Sequence, residues 1–320
     1  MAFDYEITHY IGPKMAYRKR KFAPGECMHI YQRTIKGHNI FYDPEDFLVF
    51  YSIFSTIARQ YNIMILELCM MTDHIHILIS ASSLSQISLF IQHYTSLFVR
   101  EYNYSINRRG SLFHKSFGSA PKKGSKKIRS TIVYIGNNPV EKRLCRYAEE
   151  YKWNFLSHMK DDGGSIIYTM SRKLKTALKE IRGYRNCSKY LNFAQVRRML
   201  KGLAPIERDM LIDSVIDIYS PFDRDALLSF YDSYEDMLHA MRSSSGSEYD
   251  IKEKFNPGSD RIYEDMASEV RRLYPGIPVR KVTTMTVEQK IETGRVLQRN
   301  TGASIHQIAK FLHLELKRDT

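Results

Sequence analysis

His74-Ile75-His76 is the stretch of this sequence most suited to chemistry. In an extended strand side chains alternate, so His74 and His76 fall on one side while Ile75, Ile77 and Ile79 fall on the other. Two imidazoles pointing the same way from a rigid, apolar-backed element suit a divalent metal at a solvent-accessible site. The competing reading is a half-buried strand carrying two incidental histidines.

A second pair of candidates lies about sixty residues on. The sequence predicts a helix from Ser125 or Lys126 to Asn138, stopped by Pro139. Tyr134 and Asn138 are four apart and share a face of it. Taken singly, Tyr134 can be a core tyrosine and Asn138 a C-terminal cap. The run leading into this helix is basic. Between Ser105 and Ile135 stand eight basic residues (Arg108, Arg109, Lys115, Lys122, Lys123, Lys126, Lys127 and Arg129) and no acidic one. Phe113 and Phe117 are interleaved, and Tyr102 and Tyr104 lie just upstream. Cations that meet phosphates, mixed with rings that stack on bases, suit a single nucleic-acid strand; a solvated surface is the alternative.

The elements that position these residues read as follows. Cys27 to Ile35 is a first strand. Asp43 caps a helix that opens at Pro44 and runs to Gln60. Asn62 to Met71 is a second strand, joined through Thr72-Asp73 to the His strand as an antiparallel hairpin. Ser83 caps a helix to Tyr102, whose Leu84, Ile87, Ile91, Tyr94 and Phe98 recur at helical spacing. Gly110 to Phe117 reads as a fourth strand. The order strand, helix, strand, strand, helix, strand predicts an α+β fold: an antiparallel sheet with helices in a ferredoxin-like, split βαβ arrangement.

Composition narrows the function. The chain has 320 residues with 48 Lys+Arg against 35 Asp+Glu, a formal net charge of +13. That balance points to nucleic acid before anionic membranes. No apolar run is long enough to span a bilayer, and no signal or lipidation pattern is visible. The four cysteines are scattered, without a Cys-x-x-Cys pair, so neither a zinc ribbon nor a disulfide framework is indicated, and a reducing cytoplasm is the simple reading. Residues 1–26 form a basic arm with Lys14, Arg18, Lys19, Arg20 and Lys21. It is read as a solvated tail, with phosphate contact as the alternative. Asp161-Asp162-Gly163-Gly164 predicts a linker, and an all-α region follows it. Helices are expected near Phe193 to Lys201, Pro205 to Tyr219, Pro221 to Met241, Asp260 to Tyr274, Val287 to Gln298 and Ser304 to Leu314, with a flexible break at Ser243 to Ser247. The domain scheme is therefore 1–26, 27–160, 161–245 and 246–320. The last unit is a helical packing or assembly module, or the start of a helix-turn-helix at Gly302 to Leu312.

Across residues 25–158 the pieces resemble the single-tyrosine HUH transposases, in particular the REP-associated tyrosine transposases and other IS200-like transposases. The matching pieces are His29-Ile30-Tyr31-Gln32-Arg33, Phe41-Tyr42-Asp43 with Asp46-Phe47, and Met70 to Ile79. Arg109-Gly110-Ser111-Leu112-Phe113, Tyr134-Ile135-Gly136-Asn137-Asn138-Pro139-Val140 and Tyr151-Lys152-Trp153 complete them. The resemblance implies that His74 and His76 are metal ligands, Tyr134 the nucleophile and Asn138 a further metal-side ligand. Asp73 stands where many relatives carry Asn, and it is assigned no catalytic role. The implied activity is a single-stranded DNA endonuclease and strand transferase working through a 5′-phosphotyrosine, with Mg²⁺ or Mn²⁺ and without ATP. The expected partner is single-stranded DNA with a hairpin or palindromic element. The resemblance leaves open whether Tyr134 acts in its own chain or across a homodimer. Two rival readings remain: a replication-initiator or relaxase-type HUH nickase, and a non-catalytic nucleic-acid-binding protein of the same fold. No Gly-x-x-x-x-Gly-Lys-Ser/Thr loop accompanies the motifs, which argues against an attached helicase.

Overall fold

The computed structural model describes residues 21–160, 170–244 and 259–316. Its centre is a four-stranded sheet of β1 (Cys27–Arg33), β2 (Met64–Met70), β3 (His74–Ser80) and β4 (Gly118–Lys122). The order is β2-β3-β1-β4, and every neighbouring pair is antiparallel. β1 and β2 therefore run parallel with β3 between them, which is the expected split βαβ arrangement.

The alternation of each strand divides the sheet into two unlike faces. Met28, Ile30, Leu68, Ile75, Ile77 and Ile79 pack with α1 (Pro44–Gln60) and α2 (Leu84–Ile106) in one apolar core. Leu78 and Cys69 join a second core beneath α3 (Gly124–Glu141), on the face that also bears the histidines. α1 opens as expected, with Pro44 in its first turn and a capping box between Asp43 and Asp46. α2 opens at Ser83, whose hydroxyl accepts from Gln86 N–H at 3.1 Å.

Three expectations are corrected. The fourth strand lies at Gly118–Lys122 and not at Gly110 to Phe117. The earlier segment touches the end of β1 through one isolated bridge, Thr34 with Phe113, and pairs no further with the sheet among the described residues. α3 does not stop at Asn138: Pro139 sits inside it and the helix reaches Glu141. A proline removes one hydrogen bond of a helix, and the ladder resumes where Lys142 N–H donates to Asn138 C=O at 3.2 Å. The expected helix from Pro221 to Met241 is two, α7 (Arg224–Leu228) and α8 (Tyr234–Ser243), because Ser233 caps the second by accepting from Asp236 N–H.

Around this core the remaining helices described are α4 (Arg172–Asn186), α5 (Phe193–Leu200), α6 (Pro205–Tyr219), α9 (Arg261–Leu273), α10 (Val287–Thr301) and α11 (Ile305–Leu312). α4 has no counterpart among the helices expected from the sequence. The helical region is not a loose appendage. Arg280, fully buried, donates to Asp46 Oδ1 at 3.1 Å and Glu45 Oε2 at 3.2 Å on α1, and its guanidinium lies 3.9 Å from the Phe193 ring centroid. Lys14, Arg18, Lys19 and Arg20 of the arm, the linker at 161–164 and most of the Ser243 to Ser247 break lie outside the described residues. No helix among the described residues is long and apolar enough to cross a membrane.

Candidate active site

β3 and α3 bring the four motif residues together. His74 Nε2 lies 3.2 Å from Asn138 Oδ1, across 64 residues of sequence. The His74 and His76 rings are perpendicular with centroids 5.1 Å apart. The Tyr134 ring meets His76 edge-on at 5.4 Å and His29, from β1, at 5.8 Å. The cap reading of Asn138 is thereby displaced: Asn138 is helical and buried, and its side chain reaches the sheet.

Against known proteins, residues 27–138 match the family model described as transposase IS200-like. Over these residues the chain is similar to the IS200-like transposases. The match ends on Asn138 and begins on the first residue of β1, so it takes in the two histidines, the tyrosine and the amide. A solved REP-associated tyrosine transposase, bound to a REP hairpin, is similar at 12% identity and a TM-score of 0.39, over 49% of this chain and 93% of that one. No curated protein sequence matches the chain.

Each of the two motif histidines is steered by a partner on its Nδ1. His74 Nδ1 is 2.6 Å from Asp73 Oδ1, and His76 Nδ1 is 3.1 Å from His29 Nε2. A ring held through Nδ1 presents Nε2 to the site. His76 Nε2 is buried and has no hydrogen-bond partner among the described residues. Burial drives His76 far below the usual imidazole range, with the neighbouring His74, His29 and Arg33 adding to it. Burial, then Lys122, pushes His29 down to about 3. Both rings are neutral at physiological pH, the state that offers a lone pair. Burial raises Asp73, but the charge and hydrogen bond of His74, followed by those of Lys310, outweigh it and hold the carboxyl well below the usual range.

The site is more enclosed than the sequence suggests. His76 is 0% exposed, His74 9% and Tyr134 3%. The expectation that both histidines face a solvent-accessible site is corrected: α3 lies over them, and α8 packs on α3. Asn137 Nδ2 donates to Met241 C=O at 2.8 Å, and a Cβ on Gly136 would come within 2.7 Å of Met241 Cε.

The eight basic residues divide in two. Arg109, Lys115, Lys123, Lys126 and Lys127 are exposed, the last three beside or within the first turn of α3. Arg108 is spent on structure, donating to Asn103 Oδ1 and to the carbonyls of Gly110 and Ser111. Lys122 is buried, and Arg129, though exposed, stacks 4.8 Å over the Tyr231 ring with Asp236 Oδ2 at 3.9 Å.

Four contributors are not singled out by residue type and spacing. His29 and Tyr31 stand out there through the family resemblance alone. The Tyr31 ring lies flat on Gly118, where a Cβ would sit 1.8 Å from it, and it stays 38% exposed beside the histidine row. Asp73 is expected to have no catalytic role, yet it holds His74. The fourth is Lys310, on α11, whose Nζ lies 2.7 Å from Asp73 Oδ2. Asp73 adjoins His74 in the sequence, whereas His29 lies 47 residues before the His76 it holds. No sequence signal connects Lys310 to Asp73.

Proposed function

We propose that the transposase domain nicks single-stranded DNA and transfers the strand through a covalent tyrosine intermediate. The observation that carries this is the convergence of Tyr134, His76, His74 and Asn138 on one buried point of an IS200-like domain. Tyr134 Oη attacks the scissile phosphorus, the P–O3′ bond breaks, and the departing oxygen takes up a proton in place of the one the phenol loses. The products are a 5′-phosphotyrosine and a free 3′-hydroxyl. The phosphodiester energy is kept in the new bond, so transfer to another 3′-hydroxyl needs no ATP.

A phenol with an ordinary pKa of about 10 is a poor nucleophile at neutral pH. A divalent ion would polarise the phosphate and offset the charge that develops on it. The residues fit such an ion: His74 Nε2 and Asn138 Oδ1 converge, and His76 Nε2 is a buried nitrogen with no hydrogen-bond partner among the described residues. No group of three or more His, Cys, Asp or Glu side chains able to hold a metal occurs among the described residues, so the set is two imidazoles and one amide. These donors suit Mn²⁺ better than oxygen-preferring Mg²⁺, which remains competent through water and phosphate ligands. Asp73 and His29 keep the two rings aimed. Lys123, Lys126 and Lys127 supply phosphate contacts along the approach to Tyr134. Because Tyr134 is nearly covered, strand access requires the side chains over it to move aside.

The test is a denaturing gel with end-labelled single-stranded oligonucleotides carrying hairpins, in Mn²⁺ or Mg²⁺. A covalent protein–DNA band is expected with the wild type and none with Tyr134→Phe, while DNA binding by the variant stays nearly intact. A band that survives in Tyr134→Phe moves the nucleophile elsewhere, with Tyr102 and Tyr104 next to be tested. Tight binding with no covalent band under any metal favours the non-catalytic reading.

A further inference from the structure

We propose that Lys310 is a positioning residue that holds His74 through Asp73, so that the C-terminal helices complete the metal-side half of the site. The inference rests on the metal reading above. The chain of contacts is continuous: Lys310 Nζ to Asp73 Oδ2 at 2.7 Å, Asp73 Oδ1 to His74 Nδ1 at 2.6 Å, and His74 Nε2 to Asn138 Oδ1 at 3.2 Å. The two carboxylate oxygens are divided between one lysine and one histidine. That division fixes the plane of the carboxylate, and hence the direction of the imidazole.

The lysine is itself seated by backbone contacts. Asn39 N–H donates to Lys310 C=O at 3.2 Å, Tyr42 Oη donates to Phe311 C=O at 2.7 Å, and His313 Nε2 is 2.6 Å from Asn39 C=O. His313 also stacks on His38 with centroids 4.4 Å apart. Residues 38–42 are in turn tied to the histidine hairpin, since Ile40 and Phe41 N–H both donate to Thr72 C=O. The side chains of Lys310 and Asp73 are only 25% and 15% exposed, and the ammonium lies 5.1 Å from the Tyr263 ring centroid. Such a covered pair is not loosened by solvent as a surface ion pair is. Without the lysine, Oδ2 of Asp73 loses its partner, and the carboxylate plane, with the His74 ring hydrogen-bonded to it, is no longer held in one direction. Lys310 lies far outside residues 27–138, so this support is not part of the matched transposase domain.

The test uses the full chain and reads Mn²⁺ affinity by calorimetry or electron paramagnetic resonance, together with a melting curve. Loss of an outer partner of a metal-bound histidine typically weakens metal binding by about 10–100-fold. Lys310→Met is expected to bind Mn²⁺ about tenfold more weakly, and Lys310→Arg to recover to within about threefold of wild type. Asp73→Asn is expected to match or exceed the loss in Lys310→Met, and the double variant to be no worse than Asp73→Asn. If Lys310→Met does not fold, Lys310→Gln and Asp73→Asn carry the same comparison. Affinity unchanged or tighter in Lys310→Met overturns the inference, as does a loss that adds in full to that of Asp73→Asn. Those results leave the metal reading standing. A wild type that binds no Mn²⁺ overturns the metal reading, and this inference falls with it.

Discussion

The two faces of β3 are built from alternate residues of one strand and serve opposite ends. Ile75, Ile77 and Ile79 are fully buried among phenylalanines and isoleucines that need no partner but contact. His74 and His76 are buried as well, but among His29, Tyr134, Asn138 and Asp73, where almost every group is steered by a hydrogen bond or an edge-on ring contact. Burial on the first face is a source of stability. On the second it is a cost, since a desolvated polar group must be paired or must stay neutral. Site residues are therefore not told from core residues by burial. They are told apart by whether their polar atoms point at one another across long separations in sequence.

Substitutions on the two faces break or sharpen this contrast. The largest effect is expected from His76→Ala, which should abolish metal-dependent cleavage and weaken Mn²⁺ binding strongly. Its cost in stability should be smaller than that of Ile77→Ala on the same strand, expected to lose about 2–5 kcal/mol. Removing the imidazole also removes its buried Nε2, which has no partner among the described residues, and that offsets part of the missing packing. Metal titration and urea unfolding of both variants decide it. Equal destabilisation with unchanged metal affinity would erase the distinction between the faces.

Glu67 gives the next test, because it is an acid on the chemical side of the sheet. It is fully buried, paired in register with Leu78, and neither carboxylate oxygen has a hydrogen-bond partner among the described residues. Burial raises its pKa well above the ordinary value of 4.5. The folded chain thus keeps a proton that the unfolded chain releases. Stability is then undiminished below the unfolded pKa and falls by about 1.4 kcal/mol per pH unit above it, until the folded pKa is reached. Glu67→Gln removes this titration. The variant should match the wild type near pH 4 and melt at a higher temperature than it at pH 7–8. A melting difference independent of pH would mean that Glu67 finds a partner in solution.

The smallest effect concerns the cations beside α3. Neutralising Lys123, Lys126 and Lys127, which are exposed, should lower the log–log salt dependence of single-strand binding by roughly 0.7 for each phosphate that no longer meets a cation. Cleavage at saturating DNA should persist. Lys122 does not belong in the set, since it is buried next to His29 and its removal would disturb the site. An unchanged slope would move the strand path away from the start of α3, and the exposed Lys173, Lys175 and Lys179 of α4 would be the next set to neutralise.

Much of the fold was legible because its signals are local. The two-residue period of His74 to Ser80 and the capping residues Asp43 and Ser83 set β3, α1 and α2 by sterics and nearby hydrogen bonds. The spacing of Tyr134 and Asn138 put both on one helical face for the same reason. Where packing overrode local preference, the sequence misled. Pro139 is tolerated within α3, β4 forms at a glycine able to lie under the Tyr31 ring, and α4 is hidden in a stretch dominated by charge. Sequence by itself singled out the residues proposed to carry the chemistry, since a metal and a phosphodiester demand particular side chains at particular spacings. Only the tertiary structure decided how they are held: His29 behind His76, α3 laying Tyr134 edge-on against His76, and Lys310 reaching Asp73. Those contacts join residues as far apart as 73 and 310, and no periodicity or local propensity encodes a pairing made solely by how the helices pack.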